Sequence, residues 1–169
     1  MRHVSTPYRV SRTIRIEAPP AVVYPHVADL RRWAAWSPWE GSDPHLERTY
    51  TGPEQGVGAG YAWSGNKDTG EGSVLVTLDQ APARVELGLR FEEPFHADNH
   101  LRLDLDPESG GRACVVSWTM TGQPTGLLRM LARVLPMDRM VGKELEKGLR
   151  RLKRQVEGRV RSHRGAARR

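Results

Sequence analysis

Two polar side chains of this 169-residue chain are placed where they could do chemistry, Glu71 and Asn99. Glu71 stands between Gly70 and Gly72, and burial in an apolar cavity would raise its pKa and make it a general acid or base. The alternative is a hairpin carboxylate opposite Asn66 that accepts backbone N–H bonds, which lowers its pKa; we expect the hairpin. Asn99 shares a strand face with apolar residues, so it needs an inward partner. The sequence leaves open whether that partner is a ligand or the protein.

Three further motifs have a chemical and a structural interpretation. His96, Asp98 and His100 alternate along one strand and could bind a metal ion, but they face away from the apolar side, so we expect a solvent position and no metal. The glycine-rich run 56–60 is similar to a phosphate loop, yet no helix follows it to hold a phosphate. Ser37 has no Gly-x-Ser-x-Gly context, and we interpret it as part of a turn. We expect no cofactor.

Large apolar side chains give a more coherent signal than these polar ones. Four of the five tryptophans lie between Trp33 and Gly72, interspersed with glycines, which indicates a curved sheet beside tight turns. Side chains on the inferred concave face, and on the helix expected to cover it, would line an apolar cavity. We predict that the ligand-binding residues are Trp39, Tyr61, Trp63, Leu89, Phe91, Asn99, Trp118, Met120, Met137 and Met140.

Charge is concentrated at one end of the chain. Residues 150–169 hold nine Lys or Arg against Glu157 alone, a net charge of +8, which leaves −2 for residues 1–149 out of the total of +6. We expect residues 159–169 to form a basic, disordered tail, with an anchor for acidic lipid or RNA as the lesser alternative. The tail lacks the aromatics that stack on bases, so we expect no specific nucleic-acid partner.

Length and composition set further bounds. The chain is long enough for one domain with one core. Cys114 is the only cysteine, which excludes an intramolecular disulfide and makes redox chemistry improbable. We find no signal-like apolar region in the first twenty residues and no run of about 20 apolar residues, so we expect a cytoplasmic protein without a transmembrane segment.

The periodicity predicts an α+β order of elements. A strand over residues 8–17 is followed by two short helices around 20–28 and 31–36. Six strands follow at hairpin spacing, which makes them antiparallel, over residues 46–51, 58–64, 70–78, 84–91, 97–106 and 112–121. A helical pattern breaks near Leu135, and Pro136 starts a long helix that continues through Val156. Gly142 and Gly148 inside that helix indicate close packing against the sheet or room for a ligand.

This order of elements, together with a set of local motifs, resembles the polyketide cyclase/dehydrase-type branch of the START-like (SRPBCC) superfamily. The motifs are Trp36-Ser37-Pro38-Trp39-Glu40, Tyr50-Thr51-Gly52-Pro53, Gly56-Val57-Gly58-Ala59, Trp63-Ser64-Gly65-Asn66, Gly70-Glu71-Gly72, Phe91-Glu92-Glu93-Pro94-Phe95, Trp118-Thr119-Met120 and Gly142-Lys143-Glu144-Leu145-Glu146-Lys147-Gly148-Leu149. The resemblance implies a helix-grip fold. This fold is a curved seven-stranded antiparallel sheet around a long C-terminal helix, with two short helices after strand 1 and an apolar tunnel between sheet and helix. We assign it to residues 1–158.

The resemblance implies a class of ligands rather than one reaction, because members bind lipids, hormones and polyketides and only some are enzymes. We expect binding of a hydrophobic, lipid- or polyketide-like molecule between the sheet and the C-terminal helix, by a monomer or homodimer. The alternatives are a cofactor-independent cyclase or dehydratase that uses Glu71 or Asn99, and a co-chaperone-like module that binds a partner. An acid inside an apolar cavity favours the enzyme, whereas the absence of a cavity favours the module.

Overall fold

The computed structural model describes residues 7–40, 43–131, 134 and 136–167, and these residues form the predicted helix-grip fold. Seven strands make one antiparallel sheet in the order β1-β7-β6-β5-β4-β3-β2. The strands are β1 (Tyr8–Ile16), β2 (Glu47–Thr51), β3 (Gly60–Ser64), β4 (Glu71–Gln80), β5 (Arg84–Glu93), β6 (Ala97–Glu108) and β7 (Ala113–Gly122). The α-helices are α1 (Pro20–Ala28), α2 (Gly126–Leu131) and α3 (Met137–Ala166), and a 3₁₀ helix spans Leu30–Ala35.

Alternation of apolar and polar residues sets the two faces of the sheet. In β5 and β6 the leucines are fully buried, whereas their sequence neighbours are partly or fully exposed. The apolar sides of the strands, α1, the 3₁₀ helix and the inner side of α3 enclose one core. The fold class is therefore as predicted, with boundaries that differ from the predicted ones by one or two residues at most ends.

The long helix α3 begins at Met137, directly after Pro136, and packs its apolar stripe onto the core. Leu145, Leu149, Leu152 and Val156 are buried on that stripe. Gly148 explains how the helix comes so close: a Cβ on it would lie 2.7 Å from Cζ3 of Trp118 and 2.9 Å from Cδ of Pro38. Of the two interpretations of this glycine, the structure shows close packing.

The C-terminal segment differs from the sequence-based expectation of a disordered tail. Helix α3 continues to Ala166, so most of residues 159–169 is helical. Val160 within it packs against the core, because α3 keeps its apolar period for one turn beyond Val156. None of the described helices combines the length and the apolarity needed to span a membrane.

Candidate functional site

A chain of aromatic rings runs through the interior between the sheet and the elements that cover it. Trp39 lies at its centre, with ring centroids 5.6 Å from Trp118 and 6.4 Å from Phe91. Phe91 lies 5.7 Å from Trp63, and Trp63 lies 6.1 Å from Tyr61. These contacts are edge-on or tilted, the geometry that aromatic quadrupoles favour. Five of the predicted ligand-binding residues therefore form one continuous wall.

Beside this wall lies a small cavity. Its lining consists of Trp39, Glu40, Leu46, Tyr61, Trp63, Val74 and Leu89. Its volume is about 10 Å³, enough for about one water molecule. Sites for drug-sized ligands measure roughly 300–1,000 Å³, so the interior is filled with side chains in this conformation.

Residues 37–40 cover the cavity as a short strap between the 3₁₀ helix and β2. Trp39 and Glu40 of the strap both line the cavity. Helix α3 holds the strap from outside: Nη1 of Arg151 donates to the carbonyl oxygens of Ser37 at 3.1 Å and of Glu40 at 3.4 Å. The cover over this part of the sheet is therefore the strap, and α3 positions it.

Glu40 is the polar group of the cavity, and its side chain is only 4% exposed. Arg48 on β2 makes a two-pronged ion pair with it, with Nε donating to Oε1 at 3.1 Å and Nη2 donating to Oε2. The hydrogen bond with Glu40 raises the pKa of the Arg48 guanidinium, so the arginine stays charged. The pair thus places a neutralised carboxylate at an otherwise apolar wall.

Tyr61 adds a hydroxyl group to this polar end. Its O–H donates to Oε1 of Glu40 across a long 3.5 Å contact. Burial, and secondarily the negative charge of Glu40, raise the pKa of Tyr61 well above its usual value, so the phenol stays protonated. Because this hydrogen bond is long, the Tyr61 hydroxyl is able to make a shorter one to a ligand. The Glu40 carboxylate also has lone pairs beyond those that Arg48 uses. This end of the cavity can therefore both donate to and accept from a ligand.

Glu71 lies on the other face of the sheet. It is exposed, it pairs with Ser64 in the β3–β4 register, and the Ser64 hydroxyl donates to its Oε1 at 2.9 Å. The strand parity that buries Gly72 turns Glu71 towards solvent. The hairpin position matches the expectation, but the partner is a serine hydroxyl rather than the turn backbone, and Glu71 is outside the apolar interior.

Asn99 has a partner within the protein. The Tyr8 hydroxyl donates to its Oδ1, and burial raises the pKa of Tyr8 to about 12. Gly122 packs against the pair, because a Cβ on it would lie 2.3 Å from Oδ1 of Asn99. The structure thus gives Asn99 a structural hydrogen bond that ties β1 to β6.

The remaining predicted residues are spread over three environments. Trp118 and Met120 are buried in the core beneath α3. Met137 is partly exposed and Met140 is half exposed in the first turns of α3, and neither lines the small cavity. Thus the structure brings Trp39, Tyr61, Trp63, Leu89 and Phe91 together and leaves the two α3 methionines apart.

The histidine-containing strand segment is on the solvent side. His96 pairs with Glu92 at 3.1 Å, Asp98 with Arg90 at 2.7 Å, and His100 with Glu86 at 3.0 Å. Each of the three residues is thus paired with a neighbouring side chain. Within the described part of the chain no group of three or more potential metal ligands forms.

Sequence reasoning missed Glu40 and Arg48. A signal was available, since Arg48 and Tyr50 alternate with exposed residues along β2 and turn towards the covered face. An arginine on that face requires a carboxylate, and of the three acids that closely precede it, Glu47 is exposed on β2 and Asp43 accepts backbone N–H bonds, which leaves Glu40 at the end of the Trp-Ser-Pro-Trp-Glu run.

The fold and the aromatic interior define a helix-grip protein. Residues 7–157 match the family described as polyketide cyclase / dehydrase and lipid transport, and the chain belongs to this family. The resemblance to the START-like superfamily is thereby confirmed. Membership supports a ligand-binding or cyclase-type role. No curated protein matches the chain.

Solved structures with low sequence identity share the fold. Protein Mll3558 from Rhizobium loti is 14% identical with a TM-score of 0.66, over 89% of this chain and 98% of that chain. Ara h 8.0201 is 12% identical with a TM-score of 0.60, over 93% and 99% of the two chains. DynU16, from the dynemicin biosynthetic locus, is 17% identical with a TM-score of 0.58, over 88% of this chain and 47% of its own. At these identities the likeness concerns the fold alone.

Proposed function

We propose that this protein binds a hydrophobic small molecule, lipid- or polyketide-like, between the concave sheet and the strap of residues 37–40. The observation that carries the proposal is the Glu40–Tyr61 polar end on an aromatic wall. Glu40 is paired with Arg48, and because a buried ion pair adds little net stability, a carboxylate kept at an apolar wall supports a role in binding. Family membership supports the same class of ligand.

The closed interior defines how binding would occur. A molecule larger than water requires displacement of the strap, and Trp39 is the strap side chain that packs on the aromatic wall, against Phe91 and Trp118. Trp39 and Phe91 are mostly covered, so their outward movement exposes apolar surface that a hydrophobic ligand would cover again. We expect ligand binding to replace the Trp39 contacts with ligand contacts, and therefore to change tryptophan fluorescence.

Titration with an apolar fluorophore tests the proposal. We expect saturable binding that Trp39→Ala or Trp63→Ala changes at least tenfold, because both side chains line the cavity. Glu71→Gln is the matched control on the opposite face and is expected to leave the affinity unchanged. If no saturable binding occurs, or if the control has the same effect as the cavity variants, the proposal is wrong.

The polar end predicts that the ligand carries a hydroxyl or a similar group. We expect Tyr61→Phe to weaken binding of a long-chain alcohol several-fold and to leave binding of the alkane of equal length unchanged, since only the alcohol reaches the polar end. If Tyr61→Phe weakens binding of the alcohol and of the alkane equally, the polar end is not part of the binding site. Mass spectrometry of molecules that copurify with the protein would then identify the natural ligand class.

A second candidate function is catalysis of cyclisation or dehydration, favoured by the position of Glu40 inside the cavity. The Glu40 side chain accepts from Arg48 and lines the cavity, so its role in this reaction would be that of a general base. Glu40→Gln is expected to abolish turnover of a bound polyketide mimic while the mimic still binds. If Glu40→Gln leaves turnover unchanged, Glu40 takes no part in the reaction. If the wild type shows no turnover, the protein binds the molecule without converting it.

The cellular location, the oligomeric state and the extent of the domain are also proposed. We propose a cytoplasmic monomer or homodimer that uses no cofactor and has no specific nucleic-acid partner, with a single domain that extends beyond residue 158 to the end of α3. The third function considered, a module that binds a protein partner, predicts that a partner copurifies while apolar probes do not bind.

A further inference from the structure

The solvent-facing side of α3 carries a stripe of positive charge, interrupted by Glu157, which Lys153 binds at 2.7 Å. Its members recur at intervals of three, four or seven residues, and we define this basic stripe as Arg139, Lys143, Lys147, Arg150, Arg154 and Arg161. At 100° and 1.5 Å per residue they fall within a sector of about 80° and extend over about 33 Å. All are exposed except Lys147, which is partly exposed. The sector lies opposite the buried Leu145–Val156 stripe, so it faces away from the core.

The basic stripe is poorly neutralised. Lys147 lies 4.0 Å from Glu144, and Arg150 lies 3.8 Å from Glu146, which are long contacts between exposed groups. Glu146 is also bound by Arg12 at 2.9 Å. The other four members make no ion pair with a carboxylate in the described part of the chain. Exposed pairs of this kind contribute little, so the stripe presents most of its charge to a partner.

Exposed apolar side chains stand in the first turns of the same helix and shortly before it in the sequence. Met130 of α2 is 69% exposed, Val134 is 82% exposed, and Met140 in the second turn of α3 is 50% exposed. On the helical projection Met140 borders the sector of the stripe, next to Lys143. The N-terminal end of the basic stripe is thus accompanied by exposed apolar groups.

We infer that the basic stripe docks the protein onto an anionic lipid bilayer. Lys and Arg side chains bind the headgroup phosphates, and methionine and valine side chains enter the boundary of the acyl chains, a combination typical of interfacial helices. A nucleic acid would use the charge but not the apolar end, and the stripe carries no aromatic side chain for stacking. Residues 1–149 have a net charge of −2 even though they include Arg139, Lys143 and Lys147 of the stripe, so attraction acts mainly through this face and orients α3 along the membrane.

Vesicle cosedimentation tests this inference. We expect the protein to bind vesicles of phosphatidylcholine with about 30% phosphatidylglycerol, not vesicles of phosphatidylcholine alone, and to bind less as salt is raised. Each cation near the surface contributes about a factor of five. We therefore expect the combined variant Arg150→Glu, Arg154→Glu, Arg161→Glu to bind at least 100-fold more weakly. Met130→Ser with Met140→Ser is expected to weaken binding several-fold at unchanged charge.

A matched control makes the same change of charge elsewhere. The combined variant Arg9→Glu, Lys67→Glu, Arg112→Glu reverses three exposed cations outside α3 and is expected to keep binding within about threefold. Melting curves show whether each variant is folded. The inference is overturned if the wild type does not bind anionic vesicles at about 0.1 M salt, or if the control loses as much binding as the stripe variant. Double-stranded RNA that binds more tightly than the vesicles and displaces them would also overturn it.

Discussion

His26 makes the stability of this fold depend on pH between 5 and 7. Its side chain, on α1, is buried with 7% exposure. Burial, and secondarily the positive charges of Arg32 and Arg159, lower the pKa of His26 from 6.5 to about 4. The unfolded chain therefore binds a proton at a pH where the folded chain does not. The stabilising effect is present above pH 6.5 and is lost as pH falls towards 4.

The size of the effect follows from these two pKa values. Between pH 7 and pH 5 the unfolded state gains about three quarters of a proton, while the folded state gains about a tenth of one, so the free energy of unfolding falls by about 2 kcal/mol. The pKa values of Asp43, Asp104 and Asp138 are lowered by hydrogen bonds and ion pairs. Their contributions are lost mainly below this window.

Urea denaturation at pH 5, 6 and 7, followed by tryptophan fluorescence, measures this loss. The variant His26→Leu removes the titrating group and is expected to flatten the dependence by about 2 kcal/mol. His163→Gln changes an exposed histidine and is expected to keep the wild-type slope. If the wild type is equally stable at pH 5 and pH 7, or if His26→Leu retains the full loss, His26 is not the cause.

Three other changes test the packing and the site. Gly148→Ala is expected to destabilise the protein by about 1–3 kcal/mol in thermal melts, because the new Cβ would lie 2.7 Å from the indole ring of Trp118. Gly158→Ala is the control: its Cβ would have no atom within 4 Å, so the change is expected to stabilise the helix by up to ~1 kcal/mol. Glu40→Gln is expected to cost about 3 kcal/mol by leaving Arg48 unpaired, and adding Arg48→Met is expected to recover at least half; no recovery would contradict a coupled pair. Deletion of residues 159–169 is expected to leave the domain folded by circular dichroism, with a loss of about 1 kcal/mol; unfolding would show that the segment is essential.

The strands of the sheet could be predicted well from the sequence because one face of the sheet is exposed to solvent. Val85, Leu87 and Leu89 alternate with polar residues, so period and burial agree along β5. The same logic placed Tyr61 and Trp63 inside, since they flank Ala62 on a short strand whose other face is exposed. Local periodicity is enough when a strand has one buried and one solvated face.

Contacts between residues far apart in the sequence could not be predicted in this way. Arg12 on β1 binds Asp138 and Glu146 of α3 and fills the space beside Gly142, where a Cβ would lie 2.1 Å from Nη2. The pairing of Glu40 with Arg48 depends on the strap, an irregular segment whose sequence has no helical or strand periodicity. Such pairs follow from how the helix and the strap meet the sheet, which a single sequence does not encode locally.

The attachments of the strap determine on which side the interior opens. At one end Glu40 is held by a mostly buried ion pair, and removing either partner of such a pair is costly. On the other side the strap contacts α3 through Pro38, which packs beside Gly148, and through hydrogen bonds from Arg151 to the carbonyl oxygens of Ser37 and Glu40, and none of these contacts involves a buried carboxylate. The strap is therefore expected to pivot about Glu40 and to part from α3. Arg151 lies between Arg150 and Arg154 of the basic stripe, so a ligand that enters along this path passes the flank of the surface that we infer to face the membrane.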